Sequence, residues 1–212
     1  MEMAGIENLG GFIIAAIIVV TTPGIDTIMV LTRSISKGKV AGLYSALGVS
    51  LGLIFHTCAV TFGLSLIIAK SAIAFGIIKY LGAGYLIYIG IKALLSKSEQ
   101  IEIKPIQMKN EGNRKMFLTA FISDILNPKI AIFFLAFLPQ FIKSTEINYL
   151  TPYLVLGSIM FLITLVWCSL LAVMGSKVAI LFNKNKNAEK WMNKTSGLVF
   201  ILLGLKVAFT KK

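Results

Sequence analysis

The chain has 212 residues, 57% of them hydrophobic and 14% charged, with a formal net charge of +12 and a mean hydropathy of +0.85. A soluble domain of this length needs far more polar surface, so the composition excludes an ordinary soluble fold and points to an all-α, polytopic membrane protein. The basic residues lie between apolar runs rather than in one patch interleaved with aromatics, which argues for the lipid bilayer and against nucleic acid as the partner.

The N-terminus carries Glu2 and Glu7 and no Lys or Arg, unlike the basic n-region of a cleaved signal peptide, so the first apolar segment is expected to stay in the mature protein. Six transmembrane helices are then read in order, at about 9–32, 40–69, 72–95, 116–142, 150–174 and 195–209. The polar link 96–115, with Pro105 and Gly112, separates three spans from three, so 1–212 reads as a single transmembrane domain with half-repeats at about 9–95 and 116–209. The lysine-bearing segment 177–194 reads as a helix lying along the interface. Cys58 and Cys168 both fall in apolar runs and read as buried packing residues.

The first span is interrupted by Thr21-Thr22-Pro23-Gly24-Ile25-Asp26. Pro23 deletes a backbone donor and crowds the carbonyl of Val19, so the helix is kinked or broken near its middle. Asp26 follows about a turn later, where an ionised carboxylate costs about 2.5 to 3.5 kcal/mol even on the lowest insertion scales. In the second span, Gly48 and Gly52 form a small-xxx-small pair, and in the third Gly82 and Gly84 leave room, so close helix contacts are expected within a monomer or across a homo-oligomer. The second span also carries His56, the sole histidine, a hydrogen-bonding residue or a proton relay.

The fourth span breaks at Ser123-Asp124-Ile125-Leu126-Asn127-Pro128-Lys129, where Pro128 crowds the carbonyl of Asp124. In each half a proline at the first helical position follows a good N-cap residue, Thr22 or Asn127, so each break is expected to start a half-helix. Its positive end suits an anionic group, and the freed carbonyls on the other side suit a cation. Asp26 and Asp124 are the only acids inside spans, and Lys129 is the basic residue nearest the middle of one. Together these groups can recognise a zwitterion: the half-helix ends and Lys129 its carboxylate, Asp26 or Asp124 its ammonium. The bland alternative is that the prolines are packing kinks and Asp124 pairs with Lys129 to allow insertion.

Fourteen basic residues flank the first, third and fifth connections, against six on the opposite side. That bias places both termini outside and the basic connections in the cytoplasm. Three spans on each side of the link make the halves inverted relative to each other, a 3+3 inverted repeat with broken first and fourth helices, which is a transporter architecture.

The stretches TPGIDTIMVLTRSISKGKVAGLYSALGVSLG, KYLGAGYLIYIGIKAL and FISDILNPKIAIFFLAFLPQF, with SGLVFILLGLKVAF in the last span, resemble the lysine exporter and homoserine/threonine resistance (LysE/RhtB) family of bacterial amino-acid exporters. The resemblance implies a multi-pass protein of the bacterial cytoplasmic (inner) membrane that exports neutral or basic amino acids or related metabolites, with protons as the coupling ion and no cofactor. The two breaks place substrate binding or coupling at Thr22, Pro23, Gly24, Asp26, Asp124, Asn127, Pro128 and Lys129, with His56 of the second span as a further candidate. Two positions depart from the family pattern: Ile25 stands where a second proline is usual, and Asp124 where asparagine is usual. A metal-ion exporter would want clustered Cys, His and carboxylate ligands, which one His and two scattered Cys do not supply, so no metal site is expected. An intramembrane enzyme would use Asp26 and Asp124 as an acid-base dyad, and a membrane assembly protein would need neither.

Overall fold

The computed structural model of the chain describes residues 5–64, 71–95, 112–143, 145–147, 149–184 and 186–209. Residues 96–111 of the link and residues 65–69, the end of the predicted second span, lie outside these residues. Among the described residues the regular structure is helical, with one isolated backbone bridge and no strand. Helix α1 is Leu9–Thr21, α2 is Ile25–Lys37, and α3 is Lys39–Ala59, prolonged by a π turn, Val60–Leu64. Helix α4 is Ala72–Leu95, α5 is Asn113–Ile125, and α6 is Pro128–Ile132, which continues through π and 3-10 turns to Phe141. Helices α7, Leu150–Lys184, and α8, Lys186–Phe209, follow.

Three stretches, 39–63, 73–95 and 150–175, are long and apolar enough to cross a bilayer unbroken. Two bent pairs, α1 with α2 (52°) and α5 with α6 through Phe141 (46°), each have the length and composition of one broken span. Both bends fall at the predicted prolines. Large apolar side chains such as Ile14, Ile73, Leu81, Leu126 and Leu202 cover the outside, the surface that hydrocarbon would meet.

The segment 177–194 is not a separate helix along the interface. Its first part prolongs α7 and its last part opens α8. The 35 residues of α7 cover ~52 Å against a hydrocarbon core of ~30 Å, so the helix is longer than one crossing needs. The predicted span 195–209 is the C-terminal part of α8 and runs antiparallel to α4. A Cβ on Gly197 would stand 2.7 Å from the Gly90 carbonyl, and one on Gly204 would stand 2.8 Å from that of Ala83. The end of α8 therefore lies at the depth of α4.

Contacts between the halves place the two breaks at one level. Ile6 bridges Ile142 in antiparallel fashion, with the Glu7 amide donating to the Phe141 carbonyl (2.7 Å) and the Lys143 amide to that of Gly5 (2.9 Å). The first span thus begins where the fourth ends. From that shared edge, α1 with its 13 residues and the stretch 128–141 each cover ~20 Å, which brings Pro23 and Pro128 to the same depth. A ring cluster of Phe12, Phe137 and Phe141 holds the two runs together, with centroids 5.3 Å apart for Phe12–Phe141 and 4.8 Å for Phe137–Phe141.

Gly48 and Gly52 of α3 face α5. A Cβ on Gly48 would collide with the Phe117 carbonyl oxygen, and one on Gly52 with the Asp124 carboxylate, so this small-residue face lets the broken fourth span approach to backbone distance. Gly82 similarly seats Ala136, whereas Gly84 meets nothing within 4 Å. Cys168 is buried as expected, but Cys58 is exposed, because His56 and Thr57 occupy the buried face of α3 at that level.

Candidate functional site

At the first break the structure corrects one expectation. Thr22 is not the N-cap of a new half-helix, and Pro23 is not its first residue. Thr22 closes the end of α1, while α2 begins at Ile25 with Gly24 as a cap that supplies no side-chain hydrogen bond. The Thr22 hydroxyl is engaged elsewhere, meeting the Ile18 carbonyl at 2.5 Å and the Ser196 hydroxyl of α8 at 2.9 Å. The carbonyls freed on the α1 side are those of Val19, which Pro23 deprives of a donor, and Thr22. Both accept from Lys129 Nζ, at 3.2 and 3.4 Å. Gly24 makes room for this reach, since a Cβ there would stand 3.3 Å from Nζ.

The second break follows the predicted chemistry. Asn127 caps α6, its Oδ1 accepting from the Lys129 amide at 3.1 Å, and Pro128 takes the first helical position. The Asp124 carbonyl that Pro128 crowds accepts from the Asn127 amide at 2.9 Å. It also lies 3.0 Å from His56 Nε2, and since a carbonyl only accepts, that nitrogen carries the proton in this contact. His56 is buried and stacks on Phe134 with centroids 5.8 Å apart. Each freed carbonyl is thus satisfied by a side chain from another span: Lys129 serves the first break and His56 the second.

Asn127 joins the breaks directly. With its Oδ1 held by the cap, Nδ2 points across the halves and donates to Asp26 Oδ2 at 2.7 Å. Asp26 sits in the first turn of α2, where the helix dipole favours a carboxylate. Its Oδ1 has no hydrogen-bond partner. Asp26 also lines a cavity of about 20 Å³ between the breaks, space for a single water. Asp26, Asp124, Lys129 and Thr164 bring polar groups to its wall, and Val20, Val49, Leu53, Ile130 and Cys168 bring apolar ones.

Asp124 is fully buried, and neither carboxylate oxygen has a hydrogen-bond partner. His56 Nε2 stands 3.8 Å from its Oδ2. The ion pair with Lys129 anticipated by the bland alternative is not formed, because Lys129 reaches the α1 carbonyls instead. Asp124→Asn is therefore expected to keep substantial transport and to gain stability on the order of 1 kcal/mol, since a neutral amide of the same shape is cheaper to bury than a charged carboxylate with both oxygens unpartnered. Thermal unfolding of the purified variant, alongside its transport rate at matched expression, tests this; a fall in melting temperature would contradict it.

All nine sequence-predicted site residues lie at or beside the two breaks, Thr22, Pro23 and Gly24 on one and Asp124, Asn127, Pro128 and Lys129 on the other, with Asp26 and His56 packed against them. Sequence reasoning missed Thr164 and Ser196. The Thr164 hydroxyl is buried without a hydrogen-bond partner at the cavity, but a threonine inside an apolar run carries no local signal. Among the described residues no group of three or more His, Cys, Asp or Glu gathers as a metal cluster would.

Residues 17–211 match the family described as LysE type translocator. The chain is 34% identical over 211 residues to the uncharacterized membrane protein YrhP of Bacillus subtilis (strain 168), covering 96% of this chain and 100% of the relative. It is 28% identical over 211 residues to leucine efflux proteins of Salmonella choleraesuis (strain SC-B67) and Salmonella paratyphi A (strain ATCC 9150 / SARB42), with 96% of each chain covered. No solved structure matches.

Proposed function

This chain belongs to the LysE type translocator family, and from that premise we propose that it exports neutral, apolar amino acids from the cytoplasm in exchange for protons. As a member of a translocator family with efflux relatives, it is a membrane transporter and not an enzyme. The proposed frame is a single transmembrane domain of six spans in two inverted halves, set in a bacterial inner membrane with both termini outside. Pairing of α3 with α7 and of α4 with α8, spans of equal rank in the two halves, supports it.

The observation that carries the proposal is the junction of the breaks: Asn127 on Asp26, and Lys129 on the carbonyls of Val19 and Thr22. A zwitterion suits this junction, its carboxylate going to Lys129 and its ammonium to Asp26 or Asp124. The cavity as it stands holds no more than a water, so a side chain such as that of leucine, the substrate in the names of the Salmonella relatives, requires it to open along its aliphatic wall of Val20, Val49, Leu53 and Ile130. Two carboxylates on one small cavity do not both ionise readily, so a proton and a substrate ammonium become alternatives there, which is the logic of exchange.

Inside-out vesicles from cells making the protein are expected to accumulate labelled leucine or a similar amino acid when energised, and a protonophore is expected to abolish the accumulation. Accumulation that survives full collapse of the proton gradient would sink the coupling; no accumulation of any amino acid would sink the export proposal.

A further inference from the structure

Lys129 lines two cavities. One is the small space between the breaks; the other, of about 250 Å³, has Thr22, Pro23, Lys92, Lys129, Asn193 and Phe200 among its walls. The larger cavity extends from the broken first span to the end of α4, where Lys92 stands exposed beside Asn193 of α8. That end of α4 leads into the basic link, the cytoplasmic side by the charge bias. The cavity thus connects the proposed cytoplasmic side with the junction.

Its chemistry is one-sided. Two lysines, an asparagine and a threonine line it, the rest of its wall is apolar, and none of the described residues that line it is acidic. A carboxylate is drawn into such a space, and a cationic side chain is repelled with nothing to pair it. Beyond Lys92 the ligand meets the contact between Lys129 Nζ and the carbonyls of Val19 and Thr22. A free amino acid entering from this cavity can replace both halves of that contact at once, its carboxylate accepting from Nζ and its ammonium donating to the carbonyls, before the ammonium passes on to the carboxylates of the small cavity beyond. A plain carboxylic acid would leave the carbonyls without a donor, and an amine would leave the ammonium of Lys129 without an acceptor.

We propose that this cavity is the cytoplasmic antechamber of the transport site and that Lys92 is its specificity-determining residue. It admits amino acids carboxylate first with uncharged side chains and turns away lysine- and arginine-like ones. The inference rests on the export proposal above and narrows its substrate class.

The test is competition and saturation kinetics in inside-out vesicles carrying the full chain. With the parent, unlabelled leucine in excess should suppress uptake of labelled leucine, and unlabelled lysine should not. Lys92→Gln is expected to raise the KM for leucine about fivefold, the scale of one exposed charge interaction, and Lys92→Glu to let lysine compete. Lys177→Gln, which removes an exposed lysine of α7 that does not line the cavity, should leave KM where it was. An unchanged KM in Lys92→Gln, an equal rise in Lys177→Gln, or effective competition by lysine against the parent would overturn the antechamber while leaving export standing. Parent vesicles that accumulate no neutral amino acid would overturn both.

Discussion

Asp26→Asn is expected to abolish amino-acid accumulation, with a loss of at least about a hundredfold, while the protein still inserts. The two ends of the Asn127 amide are already assigned, Oδ1 to the Lys129 amide and Nδ2 to Asp26 Oδ2. An amide at position 26 keeps the shape of the side chain and can still offer an oxygen to Nδ2, so the packing at the break survives. The change removes the negative charge and places a second NH₂ group where Asp26 Oδ1 now has no hydrogen-bond partner. Hydrogen bonds to a charged group contribute about 1.5 to 3 kcal/mol each, so losing the substrate ammonium's acceptor together with the exchangeable proton accounts for the size of the effect. Alkaline extraction of the membranes checks insertion, and vesicle transport at matched expression checks the rate. A variant with the parent's rate would remove Asp26 from the site. The contrast with Asp124→Asn is informative in itself, since Asp26 bridges the halves through Asn127 whereas the Asp124 carboxylate has no hydrogen-bond partner.

Lys129→Met should fail in two ways at once, losing transport and losing stability on the order of 3 kcal/mol. Methionine retains most of the apolar stem, so the packing of α6 is largely kept. What disappears is the donor to Val19 and Thr22, the two carbonyls left open at the end of α1. Within a bilayer no bulk water takes its place, and each orphaned carbonyl carries a penalty of about 1 to 3 kcal/mol. Thermal unfolding in detergent and transport in vesicles separate this result from that of Asp26→Asn, for which only transport is expected to fall. A melting temperature equal to the parent's would mean that Lys129 does not hold the first break together.

Much of the site was legible because proline acts locally. Pro23 and Pro128 interrupt apolar runs, and the removal of a donor at each follows from covalent structure whatever surrounds it. The cap at Asn127 was legible for the same reason, since the residue, the proline after it and the amide it accepts from all lie within three positions. The same chemistry misled at Thr22. A threonine before a proline is a good cap by local rules, but Ile18 and Ser196 claim its hydroxyl, and Ser196 lies 174 positions away.

Sequence by itself determined the helical class, the long apolar runs, the two breaks and the presence of two acids and a lysine beside them, because hydropathy, helix period and the missing proline donor are properties of short windows. Only the tertiary structure decided which group answers which. Lys129 serves carbonyls 107 and 110 positions earlier in the chain, Asn127 reaches Asp26 101 positions earlier, and His56 serves a carbonyl 68 positions later. Those pairings exist because the first and fourth spans run antiparallel from a common edge and break at the same depth, and because Gly48 and Gly52 let α5 approach α3 closely enough for His56 to reach Asp124. A local window says that a carbonyl has lost its donor; the packing of spans against one another decides which side chain replaces it.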